Sequence, residues 1–201
     1  PMIMVELTYL VCRWIENRGW EATPLFPHPK EMKRQGVKVR PDRPAPDVIL
    51  DMDYAAHAAG LGQMGLGKFF LTRQFGPRQL FCTILTDAEA DHYDAVSRET
   101  VCDQCGQCVR ACPVAAYVEG QFTTAPLCEG EATWQTLRVE YCRACGTGSL
   151  ENPYVPGAEP WRVGAACGRA CVAHLEDEGR LSRKFVNPFR EKGACRQGRS
   201  S

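Results

Sequence analysis

Cys102, Cys105, Cys108 and Cys112 follow one another at C-x2-C-x2-C-x3-C spacing, and Pro113 comes directly after the last. Three thiolates on one tight loop can reach three corners of a small inorganic cube. The spacing, with its closing Cys-Pro, is that of bacterial 4Fe–4S loops, whose fourth cysteine ligates a second cluster. The chemistry implied is one-electron transfer with little change of shape. Two other uses of cysteine compete. Disulfide frameworks belong mostly to secreted chains much shorter than this one of 201 residues. Zinc needs four ligands from paired C-x2-C or Cys/His units, not three cysteines at consecutive x2 spacings followed by Cys-Pro.

If Cys112 reaches a second cube, that cube needs three more thiols and the first still lacks one. The chain has 12 cysteines. Cys142 and Cys145 form an x2 pair, and Cys167 and Cys171 form an x3 pair like the end of the first motif. Together they read as a second half-motif interrupted by an insertion, Gly146 to Ala166, with Val172 where proline usually follows. By symmetry Cys171 joins Cys102, Cys105 and Cys108, while Cys112 joins Cys142, Cys145 and Cys167. Cys128 is an alternative to Cys142 or Cys145. Cys12, in a helical pattern, and Cys82, in an apolar run, read as buried, inert thiols, and Cys195 as an idle thiol in the tail.

Charge narrows the remaining classes. Lys plus Arg equals Asp plus Glu at 24 each, which leaves no electrostatic footprint for nucleic acid or an anionic membrane. No apolar run approaches the roughly 20 residues that span a bilayer. Pro1 to Val11 has no basic segment ahead of its apolar residues, so the opening does not read as a secretory signal. The reduced thiols point to a cytoplasmic, anoxic setting. The direct entry from Pro1 into a helix pattern reads as an incomplete N-terminal region.

The elements that must position these thiols are short. Ile3, Leu7, Leu10, Val11 and Trp14 make one apolar stripe of a helix over Ile3 to Asn17, closed at Gly19. Trp20 to Phe26 reads as an edge strand because of Pro24, and Lys30 to Pro46 as a polar surface connection. Asp51 or Asp53 can cap a helix over Tyr54 to Ala59. Gln79 to Thr86 is expected to be a buried strand, and Asp87 to Thr100 an acidic linker. A boundary near residue 95 separates a region over 1–95 from a cysteine-rich region over 96–201. The latter closes with a helix over Ala173 to Phe185 and a basic tail, Asn187 to Ser201.

Gly60, Gly62 and Gly65 spell G-x-G-x-x-G, but they follow a helix pattern rather than a strand, which argues against a dinucleotide fingerprint. The block AAHAAGLGQMGLGKFFLTRQFGPRQLFCTILTD, Ala55 to Asp87, followed closely by CDQCGQCVRACP, resembles the core of the cobamide-dependent reductase superfamily. That superfamily includes epoxyqueuosine reductases and reductive dehalogenases. The resemblance implies an α+β fold: a partial nitroreductase-like α/β region beside a ferredoxin-like dicluster domain. It implies two 4Fe–4S clusters and a cobalamin-type corrinoid lying against Gly60, Gly62 and Gly65, where glycine lets backbone approach a planar macrocycle. Low-potential electrons would come from a ferredoxin- or flavodoxin-like donor and pass through the clusters to the corrinoid. Asp47, Asp51, Asp53 and Tyr54 are the proton-donor candidates, with caps or surface residues the plainer reading. Lys68 and Arg73 could meet corrinoid amides or phosphate, although solvated cations are the default, and His57 reads as a packed or surface histidine. A different reading of the same clusters is a non-catalytic electron carrier for a partner corrinoid protein or enzyme.

Overall fold

The computed structural model describes residues 2–25, 51–150 and 159–183. The connection expected over Lys30 to Pro46, Asp47, the basic tail and Cys195 lie outside them. Helix α1 (Met2–Glu16) leads into strand β1 (Ala22–Leu25), with Gly19 at φ +91° turning the chain between them. A left-handed residue of this kind is what glycine supplies at a helix end. β1 pairs antiparallel with β4 (Thr83–Thr86), Pro24 opposite Ile84, and α1 packs on this ribbon. Because β1 and β4 form a two-stranded sheet, Pro24 occupies an edge, where its missing N–H costs no ladder bond.

Two expectations for this region are corrected. The run from Gln79 is a strand only over Thr83–Thr86, and Leu80 and Leu85 are exposed, as is Cys82. A two-stranded ribbon cannot bury both faces, so the β-branched run lies open. In α1 the side turned inward carries Thr8 and Cys12, both buried, while Ile3, Leu7, Leu10, Val11 and Trp14 are exposed. The helical period holds; the covered face is the narrower one beside the apolar stripe.

Helix α2 (Met52–Ala58) is capped by Asp51, whose carboxylate accepts from the Asp53 and Tyr54 N–H groups at 3.1 and 3.2 Å. The glycine loop follows, flanked by the two-residue strands β2 (Gln63–Met64) and β3 (Phe70–Leu71), which pair with each other. The segment Asp87 to Thr100 contains no helix or strand. Its neighbour, the first cysteine motif, forms a loop ending in the single turn α3 (Gln107–Arg110), with Gln104 and Gly106 at positive φ. Strands β5 (Tyr117–Pro126) and β6 (Glu131–Leu137) then make a hairpin. Cross-strand threonine bonds, Thr124 to Thr133 and Thr123 to Thr136, brace it.

That hairpin brings the chain back to where it left. Arg138 N–H donates to Ala116 C=O at 2.8 Å, and Gln135 N–H to Leu66 C=O at 2.9 Å. Helix α4 (Val139–Arg143) therefore starts beside the end of the first motif. The insertion before Cys167 is pinched by a two-way backbone bridge between Leu150 and Trp161. The last helix among the described residues, α5, spans Ala166–Asp177 rather than starting at Ala173, and Gly179 at φ +65° turns the chain after it.

The core gathers Phe69 and Leu71 with Val101, Cys108, Tyr117, Ala165, Cys167, Leu175 and Leu181. It therefore draws on both sides of residue 95. Leu175 is 2% exposed, so Leu175→Ala should remove about 2–5 kcal/mol by loss of transfer energy plus a cavity. In anaerobic urea unfolding we expect a lower midpoint for Leu175→Ala and no shift for Leu80→Ala, which is 51% exposed. Equal midpoints for the two variants would contradict this packing.

Candidate metal centre

Two cavities lie side by side in this core, and each is lined by four cysteines. The first is lined by Cys102, Cys105, Cys108 and Cys171. Its floor is the glycine loop with Phe69 and Leu71, and Asp103 and His174 stand at its wall. The second is lined by Cys112, Cys142, Cys145 and Cys167, together with Tyr117, Ser149, Arg162 and Ala165. All eight candidate ligands thus fall into two sets of three plus one. Cys128 is exposed at the β5–β6 turn, away from both. Cys12 is buried on the inner face of α1 and lines neither cavity.

The local sequence explains the division. Cys102, Cys105 and Cys108 share one loop, whose positive-φ residues Gln104 and Gly106 curl the backbone around a centre. Cys112 follows α3 and turns to the other cavity. Cys167 and Cys171 are one turn apart on α5, so both face the core, one opposite each cavity. Gly168 lets this helix sit down: a Cβ there would lie 2.4 Å from the carbonyl oxygens of both Arg162 and Val163.

Donors already point at the sulfurs. Leu66 N–H donates to Cys102 Sγ at 3.5 Å and Ala116 N–H to Cys112 Sγ at 3.3 Å, and Thr147 Oγ1 lies 3.1 Å from Cys145 Sγ. Ser149 Oγ is buried at the second cavity with no partner among the described residues. A hydroxyl left in that position fits an acceptor inside the cavity. The thiols themselves are crowded. Burial first, then the neighbouring Cys102 and Cys105, pushes Cys108 up to about 12. Burial pushes Cys142 up to about 11 against the opposing pull of Arg162, and raises Cys171 and Cys167 as well. Thiolates gathered this way lack a compensating centre, and a bound iron cluster supplies one. The residues fit two such clusters.

A buried ion network joins the two cavities. Arg162 is 5% exposed; it donates to Gly67 C=O (3.2 Å), Tyr117 Oη (2.9 Å), Lys68 C=O (3.0 Å) and Glu159 Oε1 (3.0 Å), and lies over the Phe69 ring. Tyr117 also donates to Gly67 C=O at 3.0 Å. Glu159 in turn accepts from Lys68 Nζ at 2.6 Å. Burial alone would raise the Glu159 carboxyl, but Lys68 and Arg162 outweigh it and hold it below the usual range. At the first cavity, Asp103 bonds His174 Nε2 at 2.7 Å and accepts from Cys105 N–H at 3.2 Å. These contacts overcome burial and lower its carboxyl too. Sequence reasoning missed Arg162, Glu159, Ser149, Thr147 and the Asp103–His174 pair. Most of them sit in or beside the insertion, where no spacing marks them.

The glycine loop serves packing. A Cβ at Gly60 would meet Ala95 O at 2.3 Å, one at Gly62 Leu71 O at 2.1 Å, and one at Gly65 Leu71 Cδ1 at 2.7 Å. Among the described residues the close approach that glycine permits is thus to the chain itself. Lys68 is paired rather than solvated, and Arg73 donates to Arg180 C=O. His57 is buried and donates from Nδ1 to Gly62 C=O at 3.1 Å. Of the proton-donor candidates, Asp51 is the cap of α2, Asp53 lies in its first turn and Tyr54 is exposed.

A family model described as a 4Fe-4S binding domain matches residues 96–118, the segment that carries Cys102, Cys105, Cys108 and Cys112. The chain carries a 4Fe–4S binding domain. It is also similar to the tetrachloroethene reductive dehalogenase of Desulfitobacterium hafniense, with 31% identity over 113 residues. That alignment takes in 55% of this chain and 17% of the relative, so the chain spans less than a fifth of that protein. No described helix is long and apolar enough to cross a membrane.

The packing at α5 gives a sharp contrast between two glycines. Gly168→Ala, which places a Cβ against two carbonyls, should displace α5 and lower the iron bound per chain. Gly146→Ala, with nothing within 4 Å, should leave it unchanged. Anaerobic iron analysis of the two variants checks this, and full iron in Gly168→Ala would contradict it.

Proposed function

We propose that this chain is an electron-transfer module that holds two 4Fe–4S clusters and passes single electrons toward an acceptor site. Cys102, Cys105, Cys108 and Cys171 would hold one cluster, and Cys112, Cys142, Cys145 and Cys167 the other. Each cluster, when bound, supplies storage for one electron at low potential. The chain's own residues do the rest. The cysteines fix the two centres next to each other, Phe69, Leu71 and Leu175 keep water from the first, and Gly67, Tyr117 and Arg162 fill the space between. The observation that carries this reading is the exchange of ligands. Each cavity takes three thiols from one motif and one from the other, an arrangement that neither zinc nor disulfide chemistry requires.

The acceptor is the finer part of the reading. The resemblance to cobamide-dependent reductases supports a corrinoid, and the similarity to a tetrachloroethene reductive dehalogenase supports a reductase context. The filled side of Gly60, Gly62 and Gly65 favours a second reading, in which the corrinoid belongs to a partner protein and this chain is its electron carrier. Thiols this numerous suit a reducing compartment.

Anaerobically purified protein should contain about eight irons per chain and no stoichiometric zinc, as two cubes require. Cys112→Ser should lower the iron content, and Cys128→Ser should not. Iron equal in both variants would overturn the ligand assignment. Titration with cobalamin, followed by its absorption, separates the two acceptor readings: tight binding supports a site on this chain, and no binding supports a partner.

A further inference from the structure

We propose that Ser149 and Arg162 make the cluster of the second cavity the more easily reduced of the pair, so that an electron entering at the first settles at the second. The inference rests on the two-cluster reading above and deepens it by giving the transfer a direction. The step makes and breaks no bond. One electron from a low-potential one-electron reductant enters the first centre, leaves it oxidised again, and is held by the second.

Two features of the second cavity favour added negative charge. Ser149 Oγ is buried in its wall with no partner among the described residues. A buried hydroxyl without an acceptor is costly, and four cysteines line the cavity beside it. Hydrogen bonds to cluster sulfurs are one of the means by which a protein sets reduction potential. The second feature is a fixed charge. Arg162 lines this cavity and is 5% exposed. Glu159 offsets its charge, but Lys68, 2.6 Å from the same carboxylate, offsets Glu159 in turn. The three groups therefore leave one net positive charge, and its most buried member is the guanidinium at the cavity. In a weakly polarisable interior such a charge is poorly screened. At the first cavity the fixed charges cancel: the Asp103 carboxylate in its wall is paired with Arg180 at 3.6 Å and bonded to His174 at 2.7 Å.

The test is an anaerobic redox titration of the iron-loaded full chain, with both midpoints followed by electron paramagnetic resonance. Arg162→Gln is unsuitable alone because Arg162 also ties down Gly67, Lys68 and Tyr117. Ser149→Ala removes only the donor, and Glu159→Gln leaves the guanidinium while deleting its counter-charge. The second-cavity midpoint is identified by its displacement or loss in Cys145→Ser, and in the wild type it should be the higher of the two. Ser149→Ala should lower it several-fold in equilibrium constant. Glu159→Gln should raise it about tenfold, which is about 59 mV for one electron. The other midpoint should stay in place. Unmoved midpoints in Ser149→Ala at full iron content, or movement of the first-cavity midpoint instead, would overturn the proposal while leaving two clusters intact. A wild-type chain without iron would instead overturn the reading beneath it.

Discussion

Buried thiols that crowd one another are the constraint around which this structure is organised. The described strands are short and paired only in twos, so no broad sheet supplies an apolar floor. The core instead includes Cys108 and Cys167, with Cys102, Cys112 and Cys171 packed against it. Small, partly polar residues of this kind bury little area, and the raised pKa values of Cys108, Cys167 and Cys171 mark how poorly the interior accommodates these three as free anions. A domain of this composition depends on what its sulfurs bind, in the way small metal-stabilised domains generally do.

The rest of the architecture serves to bring distant thiols together cheaply in conformational terms. The β5–β6 hairpin leaves beside Cys112 and returns beside Cys142, so a long excursion ends where it began. The Leu150–Trp161 bridge closes the next excursion before Cys167. Helix α5 then spans both cavities with one turn, and Gly168 lets it lie against Arg162 and Val163. Because each cavity takes one of its cysteines from the other's motif, the two form a single interlocked unit. The glycine loop lies under the first cavity and, through Gly67 and Arg162, touches the wall of the second.

Much of this was legible in the sequence, for definite reasons. The first motif is local, so its spacing alone gives its geometry. The exchange of Cys112 and Cys171 follows from counting thiols against two cubes; in the fold Cys171 lines one cavity with Cys102, Cys105 and Cys108, and Cys112 lines the other. Asp51 as a cap and Gly19 as a helix stop are also local matters. What was not legible depends on tertiary context. Cys82 and Leu85 look like core residues until the ribbon they belong to proves to have only two strands. The stripe of α1 has the right period, yet Thr8 and Cys12 are the buried positions. Arg162, Ser149 and Glu159 lie where no periodicity or motif marks them; only folding shows that the first two wall a cavity and that Glu159 pairs with Arg162. The glycines at 60, 62 and 65 read equally well as a ligand surface or as tight packing, and the backbone distances assign them to packing among the described residues.

The central claim is that two iron clusters occupy the two adjacent four-cysteine cavities. Diffraction from anaerobically grown crystals, recorded on both sides of the iron absorption edge, tests it most directly. The account predicts two strong anomalous peaks, one among Cys102, Cys105, Cys108 and Cys171 and one among Cys112, Cys142, Cys145 and Cys167. A single peak, or peaks that persist at the zinc edge and vanish at the iron edge, would contradict it.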